Sequence, residues 1–159
     1  ARTKRAQMTD TGPRPTLLLA STLQNRVLSE CESSSPEEAC GILLGRRNGT
    51  AVFQIVDIVK SRNVSEERRV DRYIVDPSNQ AEAELKARAM GLEVIGFYHS
   101  HPDVAAIPSV YDREQAWPDY IYVICEIRRG KAHDIRGYIL DEAQQDFVTL
   151  DLQRTDETE

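Results

Sequence analysis

Two histidines one residue apart, His99 and His101, sit in the run His99-Ser100-His101-Pro102, and a carboxylate follows in Ser109-x-x-Asp112. Side chains alternate along an extended chain, so both imidazoles fall on one side of it. Zinc takes imidazole nitrogens and carboxylate oxygens in tetrahedral geometry, and a catalytic site leaves one position open for water or substrate. Two imidazoles therefore need one more protein ligand. Asp112 is the best candidate, because Ser109 and Asp112 stand three apart at the start of a short helix and share a face. A hydrolase also needs a base for the attacking water. Glu38, just ahead of the apolar run Ala39 to Leu44, can supply it, although spacing alone does not separate it from Glu37.

Each feature has a plainer explanation. Ser109-x-x-Asp112 is close to a capping box, which stabilises a helix start and nothing more, and the two roles can coexist. An isolated His-x-His is a weak pattern. An acidic residue after Pro36 is commonly a solvated charge at a helix start. The context favours chemistry: His99 and His101 follow a buried strand and lead into a Pro-flanked loop, where a rigid scaffold holds functional groups. The chain has three histidines in all. The third, His133, stands between Lys131 and Asp134 in a polar turn and reads as a surface residue. Cys31, Cys40 and Cys125 cannot all pair within one chain, and none falls in a C-x-x-C spacing. They read as reduced, mostly buried thiols, with no local base to make a nucleophile of them.

The elements that must position these groups are strands with helices between them. Leu17 to Leu19 reads as a short strand, and Ser21 as the cap of a helix running to about Glu32, with Leu23, Val27 and Leu28 on one face. Ala39 to Gly45 and Ala51 to Val59 flank the turn signal Asn48-Gly49 and predict a hairpin. Residues 62–69 form a polar, charged loop. After the strand-like Tyr73 to Val75, Pro77 opens a helix that stops near Gly91. Leu92 to Tyr98 reads as a central strand, Ser109 to Trp117 as a short helix ended by Pro118. Tyr120 to Ile127, Ile135 to Leu140 and Phe147 to Leu152 complete the strands. The pattern predicts a mixed α/β sheet covered by helices.

With 159 residues, 40% of them hydrophobic, the chain has the size of one domain with a proper core. It is expected to comprise a flexible segment 1–15, whose residues 1–7 precede Met8 and read as non-native, a catalytic domain 16–152, and a disordered tail 153–159. No stretch is long and apolar enough to span a membrane and no signal-peptide layout is seen, so a cytoplasmic protein is expected. A net charge of −6 argues against nucleic acid as partner. A nucleobase deaminase would need H-x-E and a later P-C-x-x-C, and the chain has neither.

Taken together, Glu38-Ala39-Cys40-Gly41, His99-Ser100-His101-Pro102 and Ser109-x-x-Asp112, with residues 102–108 as the seven-residue spacer, resemble the JAMM (MPN+) metalloproteases. The resemblance covers about residues 16–152. It implies a single MPN (JAB-like) domain, α/β with a mixed central sheet flanked by helices and cytidine-deaminase-like layering. It implies one zinc per chain held by His99, His101 and Asp112, with Glu38 as general base and acid and Ser109 helping to stabilise the oxyanion, by direct attack of water without an acyl-enzyme. Arg72-Tyr73-Ile74-Val75-Asp76-Pro77 and Gly91 through Pro102 are similar to the small bacterial members linked to ubiquitin-like sulfur-carrier proteins, whose substrates end in Gly-Gly. There is little room for the insertions of linkage-selective deubiquitinases, so a simpler carrier or carrier conjugate is the expected substrate. A side-chain-free tail suits a narrow groove and backbone pairing with a sheet edge. The family also holds non-catalytic MPN scaffolds that have lost metal ligands, whereas every ligand position is filled here. A homodimer is compatible with the pattern.

Overall fold

The structure, a computed structural model, describes residues 14–141, 143 and 146–155. Thr16–Ala20 forms β1 and Ser21–Ser34 α1; Cys40–Asn48 and Val52–Ser61 are β2 and β3; Pro77–Ala89 is α2, Glu93–Pro102 β4 and Val110–Gln115 α3; Ile121–Arg128, Lys131–Asp141, Asp146–Thr149 and Asp151–Thr155 are β5 to β8. Among the described residues the strands join in one eight-stranded sheet of order β7-β6-β5-β4-β2-β3-β1-β8. The sheet is mixed: β4 runs parallel to β5 and antiparallel to β2. This is the α/β fold expected, with β4 in the middle of the order.

The two ends of that order are consecutive in the chain. Leu150 donates its N–H to the Gly137 carbonyl of β6 at 2.8 Å, and the next residue, Asp151, donates to the Pro15 carbonyl beside β1 at 2.8 Å. Adjacent Cα atoms are only about 3.8 Å apart, so the sheet must curl until its edges almost meet. Inside the curl lies α1, because Leu23, Val27 and Cys31 recur every four residues on one face and pack with Leu17, Phe53, Tyr98, Val123 and Leu150. On the outer face α2 turns its buried residues, Ala83 and Ala87, onto Ile42, Leu44, Val94 and Phe97. The Asp76 side chain caps α2 by accepting from the Ser78 N–H at 2.9 Å, with Pro77 in its first turn. Gly91, at φ 70°, lets the chain reverse into β4.

Four local expectations are corrected. The N-cap of α1 is Ala20 with no side-chain cap, and Ser21 is already helical; the extended cap position falls on the last residue of β1, one before the serine. Phe147 to Leu152 is not one strand, since pairing changes from β6 to β1 at Leu150. The expected disordered tail begins within β8, where Gln153 to Thr155 pair with Leu18 to Ala20; residues 156–159 and 1–13 lie outside the described residues. Of Tyr73 to Val75, Val75 alone forms a bridge, to Asn63. The three cysteines are free and buried, and His133 is exposed, within β6.

Candidate metal centre

The strand register gathers the chemistry. Cys40 of β2 pairs with His99 of β4, and pairing continues beyond the strand as Ser100 donates its N–H to the Ala39 carbonyl at 3.1 Å. Residues opposite each other in an antiparallel pair point to one face, and residues two apart share it. Glu38, Cys40, His99 and His101 therefore face together, while Ala39, Gly41, Tyr98 and Ser100 face α1. The second set fixes the first. Ser100 Oγ accepts the Ala39 N–H at 2.8 Å, and a Cβ on Gly41 would stand 2.2 Å from the Tyr98 ring, so β2 and β4 approach this closely only with glycine there.

The loop after β4 brings in the third group. His99, His101 and Asp112 are all buried, and their ligand atoms lie within 4.8 Å of one another. His99 Nε2 is 3.3 Å from His101 Nε2 and 3.3 Å from Asp112 Oδ1, and His101 Nε2 is 3.0 Å from Asp112 Oδ2. His101 Nδ1 donates to the Ala105 carbonyl at 2.7 Å, which turns the Nε2 lone pair inward. The capping box is present as well: Ser109 Oγ accepts from the Asp112 N–H at 3.0 Å and the Ser109 N–H donates to Asp112 Oδ2 at 2.9 Å. Helix capping and cluster formation thus use the same carboxylate.

Electrostatics separates the groups. Burial opposes the charge on Asp112, yet the two imidazoles and the Ser109 N–H hold its carboxyl well below the usual range. Burial pushes His99 below its ordinary value despite the Asp112 charge, whereas for His101 the bonds to Asp112 and Ala105 overcome burial and raise it. Burial raises Glu38 to about 9, with the Asp112 charge adding to it. Burial also pushes Cys40 up to about 12, which leaves no thiolate at neutral pH. Glu38 Oε1 and His99 Nδ1 are buried without a hydrogen-bond partner among the described residues.

Sequence reasoning missed two neighbours. Tyr73 stacks on His99 with ring centroids 4.4 Å apart and planes at 21°, and Asn63 bonds the Glu38 carbonyl. Both come from the segment between β3 and α2, whose composition carries no periodic signal. Tyr73, Phe97, Tyr111, Trp117 and Tyr122 line an adjoining groove of about 210 Å³.

Comparison with known proteins places the chain. A family model described as prokaryotic homologs of the JAB domain matches residues 20–139. A desampylase of Haloferax volcanii is 35% identical over 127 residues, covering 76% of this chain and 88% of that one. A CysO-cysteine peptidase of Mycobacterium tuberculosis is 27% identical over 129 residues, covering 80% of this chain and 85% of that one. The solution structure of a Desulfitobacterium hafniense protein superposes with TM-score 0.78 at 24% identity, over 91% of this chain and 96% of that one, a likeness of fold. A sheet of this order, the motif residues brought together by it and a family match across most of the domain agree, and the chain belongs to the prokaryotic JAB-domain family.

Proposed function

We propose that this protein is a zinc-dependent peptidase or isopeptidase that hydrolyses the bond after the C-terminal Gly-Gly of a ubiquitin-like protein or its conjugate. The observation that carries this reading is the convergence of His99, His101 and Asp112 within 4.8 Å, on the face to which the strand register also turns Glu38, whose Oε1 is buried without a hydrogen-bond partner among the described residues. The donor set fits zinc. With metal–nitrogen distances of about 2.0–2.1 Å, a tetrahedral site has edges of about 3.3 Å, matching the separation of the two Nε2 atoms. Two imidazole nitrogens facing each other that closely beside a carboxylate also call for a positive charge between them.

His99, His101 and Asp112 would hold the ion, and its chemistry there is Lewis-acid polarisation of the scissile carbonyl and of the attacking water. Glu38 would take a proton from the attacking water and return it to the leaving amine; a cation held beside it opposes the effect of burial and favours the ionised carboxylate that a base must be. The Ser109 hydroxyl accepts from the Asp112 N–H, so its own proton is free to donate to the developing oxyanion. Support for the substrate class comes from relatives named desampylase, CysO-cysteine peptidase and, in Thermus thermophilus, probable TtuB-protein conjugate cleaving protease. A narrow Gly-Gly tail suits the enclosed cluster. Pairing with a sheet edge is dropped, because the outer strands β7 and β8 are separated from β4 by other strands.

The test is mass spectrometry of a ubiquitin-like carrier extended or conjugated beyond its Gly-Gly end, incubated with zinc-loaded wild type and Glu38→Gln. Cleavage after the second glycine by the wild type, with the variant retaining zinc but losing turnover, is expected. If Glu38→Gln loses its zinc, Glu38 is a ligand and the assignment of roles fails.

A further inference from the structure

The segment from Arg62 to Asp76 looks in composition like a solvated loop, yet one side chain organises it. The Asn63 carboxamide uses all of its hydrogen-bonding capacity. Nδ2 donates to the Glu38 carbonyl at 3.1 Å and to the Arg72 carbonyl at 2.9 Å, and Oδ1 accepts from the N–H groups of Ser65 and Ile74, each at 3.1 Å. The same segment takes the Glu38 N–H as well, through the Arg69 carbonyl at 2.7 Å. Both peptide groups that flank the Glu38 side chain are thus held by residues 62–76. Asn63 also brackets Tyr73 through the Arg72 carbonyl before it and the Ile74 N–H after it, and the Tyr73 ring lies on His99.

We propose that Asn63 is a positioning residue for the reaction, whose carboxamide fixes the Glu38 backbone and the Tyr73 ring relative to each other and so holds the base in register with His99. The inference rests on the reading of Glu38 as base given above. Its physical ground is that Glu38 Oε1 has no hydrogen-bond partner among the described residues. A carboxylate oxygen without a partner is aimed by its backbone, and small errors in aim are costly in rate.

Asn63→Asp tests this, because the isosteric side chain keeps both acceptor bonds that fold the segment and loses both donors that reach Glu38 and Arg72. In the zinc-loaded protein the expected result is a kcat lower by about tenfold or more, with KM within about twofold and zinc content unchanged. Glu66→Gln, an exposed change in the same segment, keeps the wild-type kcat. An unchanged kcat in Asn63→Asp, or a loss confined to KM, overturns the proposal. Should that variant fail to fold, amide exchange in the wild type decides: the N–H groups of Ser65 and Ile74 exchange slowly if Asn63 holds them, and free exchange overturns the tether. Slow exchange in a wild type that cleaves nothing sinks the role given to Glu38, and the catalytic role of Asn63 with it.

Discussion

At the scale of single residues, the proposed roles of ligand and base rest on different contacts. His101 turns Nε2 inward because Nδ1 is occupied by Ala105, and Asp112 offers one oxygen toward each imidazole. His101→Ala and Asp112→Ala are each expected to lose bound zinc and cleavage together, as read by metal analysis beside the peptidase assay; retention of stoichiometric zinc by either would remove it from the ligand set. That His99 and His101 share one side of a strand, and that Ser109 and Asp112 meet at a helix start, was legible in the sequence because strand alternation and the three-residue helix spacing are local rules. Spacing alone does not separate Glu37 from Glu38, and Glu38 rests on the resemblance carried by Glu38-Ala39-Cys40-Gly41, since which of the two faces the histidines depends on which strand pairs with β4 and in what register. The pairing of Cys40 with His99 puts Glu38 on the histidine face. Asn63, Tyr73 and the Ser100 hydroxyl act across 25 to 61 positions of chain, a distance at which composition says nothing.

At the scale of elements, the hairpin of β2 and β3, the central β4 and the α2 boundaries follow from apolar runs and from Asn48-Gly49, Pro77 and Gly91. The joints between elements do not. Asp57 of β3 is one such joint: it bonds Arg26 of α1 at 3.3 Å and Lys86 of α2 at 3.0 Å, and so ties both helices to the sheet. Burial opposes its charge, but Lys86, the Ile58 N–H and Arg26 together bring its carboxyl below the ordinary value of 3.8. A carboxyl depressed in the folded state stabilises above its unfolded pKa, and that contribution fades as pH falls below 3.8 toward the folded value. Asp57→Asn is expected to lower stability by about 1 kcal/mol at pH 7. Urea unfolding should show the gap between wild type and variant shrinking near pH 3, and a gap that persists there would contradict the account.

At the scale of the molecule, a single domain with a covered sheet was readable from length and alternation, and no described helix is long and apolar enough to cross a membrane. The curl of the sheet was not readable, because it depends on one residue, Leu150, standing between strands at opposite ends of the order. The curl encloses a core built from α1 and both halves of the sheet, and that core does not include His99, His101 or Asp112. Removal of the proposed zinc is therefore expected to stop the proposed chemistry and leave the fold. The most direct measurement is a zinc titration: strip the protein with a chelator, confirm the fold by circular dichroism, then follow cleavage of a Gly-Gly-linked conjugate as zinc is added back. The account predicts a folded, inactive apoprotein whose activity rises with zinc and levels off at one ion per chain. Full cleavage by the stripped protein would contradict it.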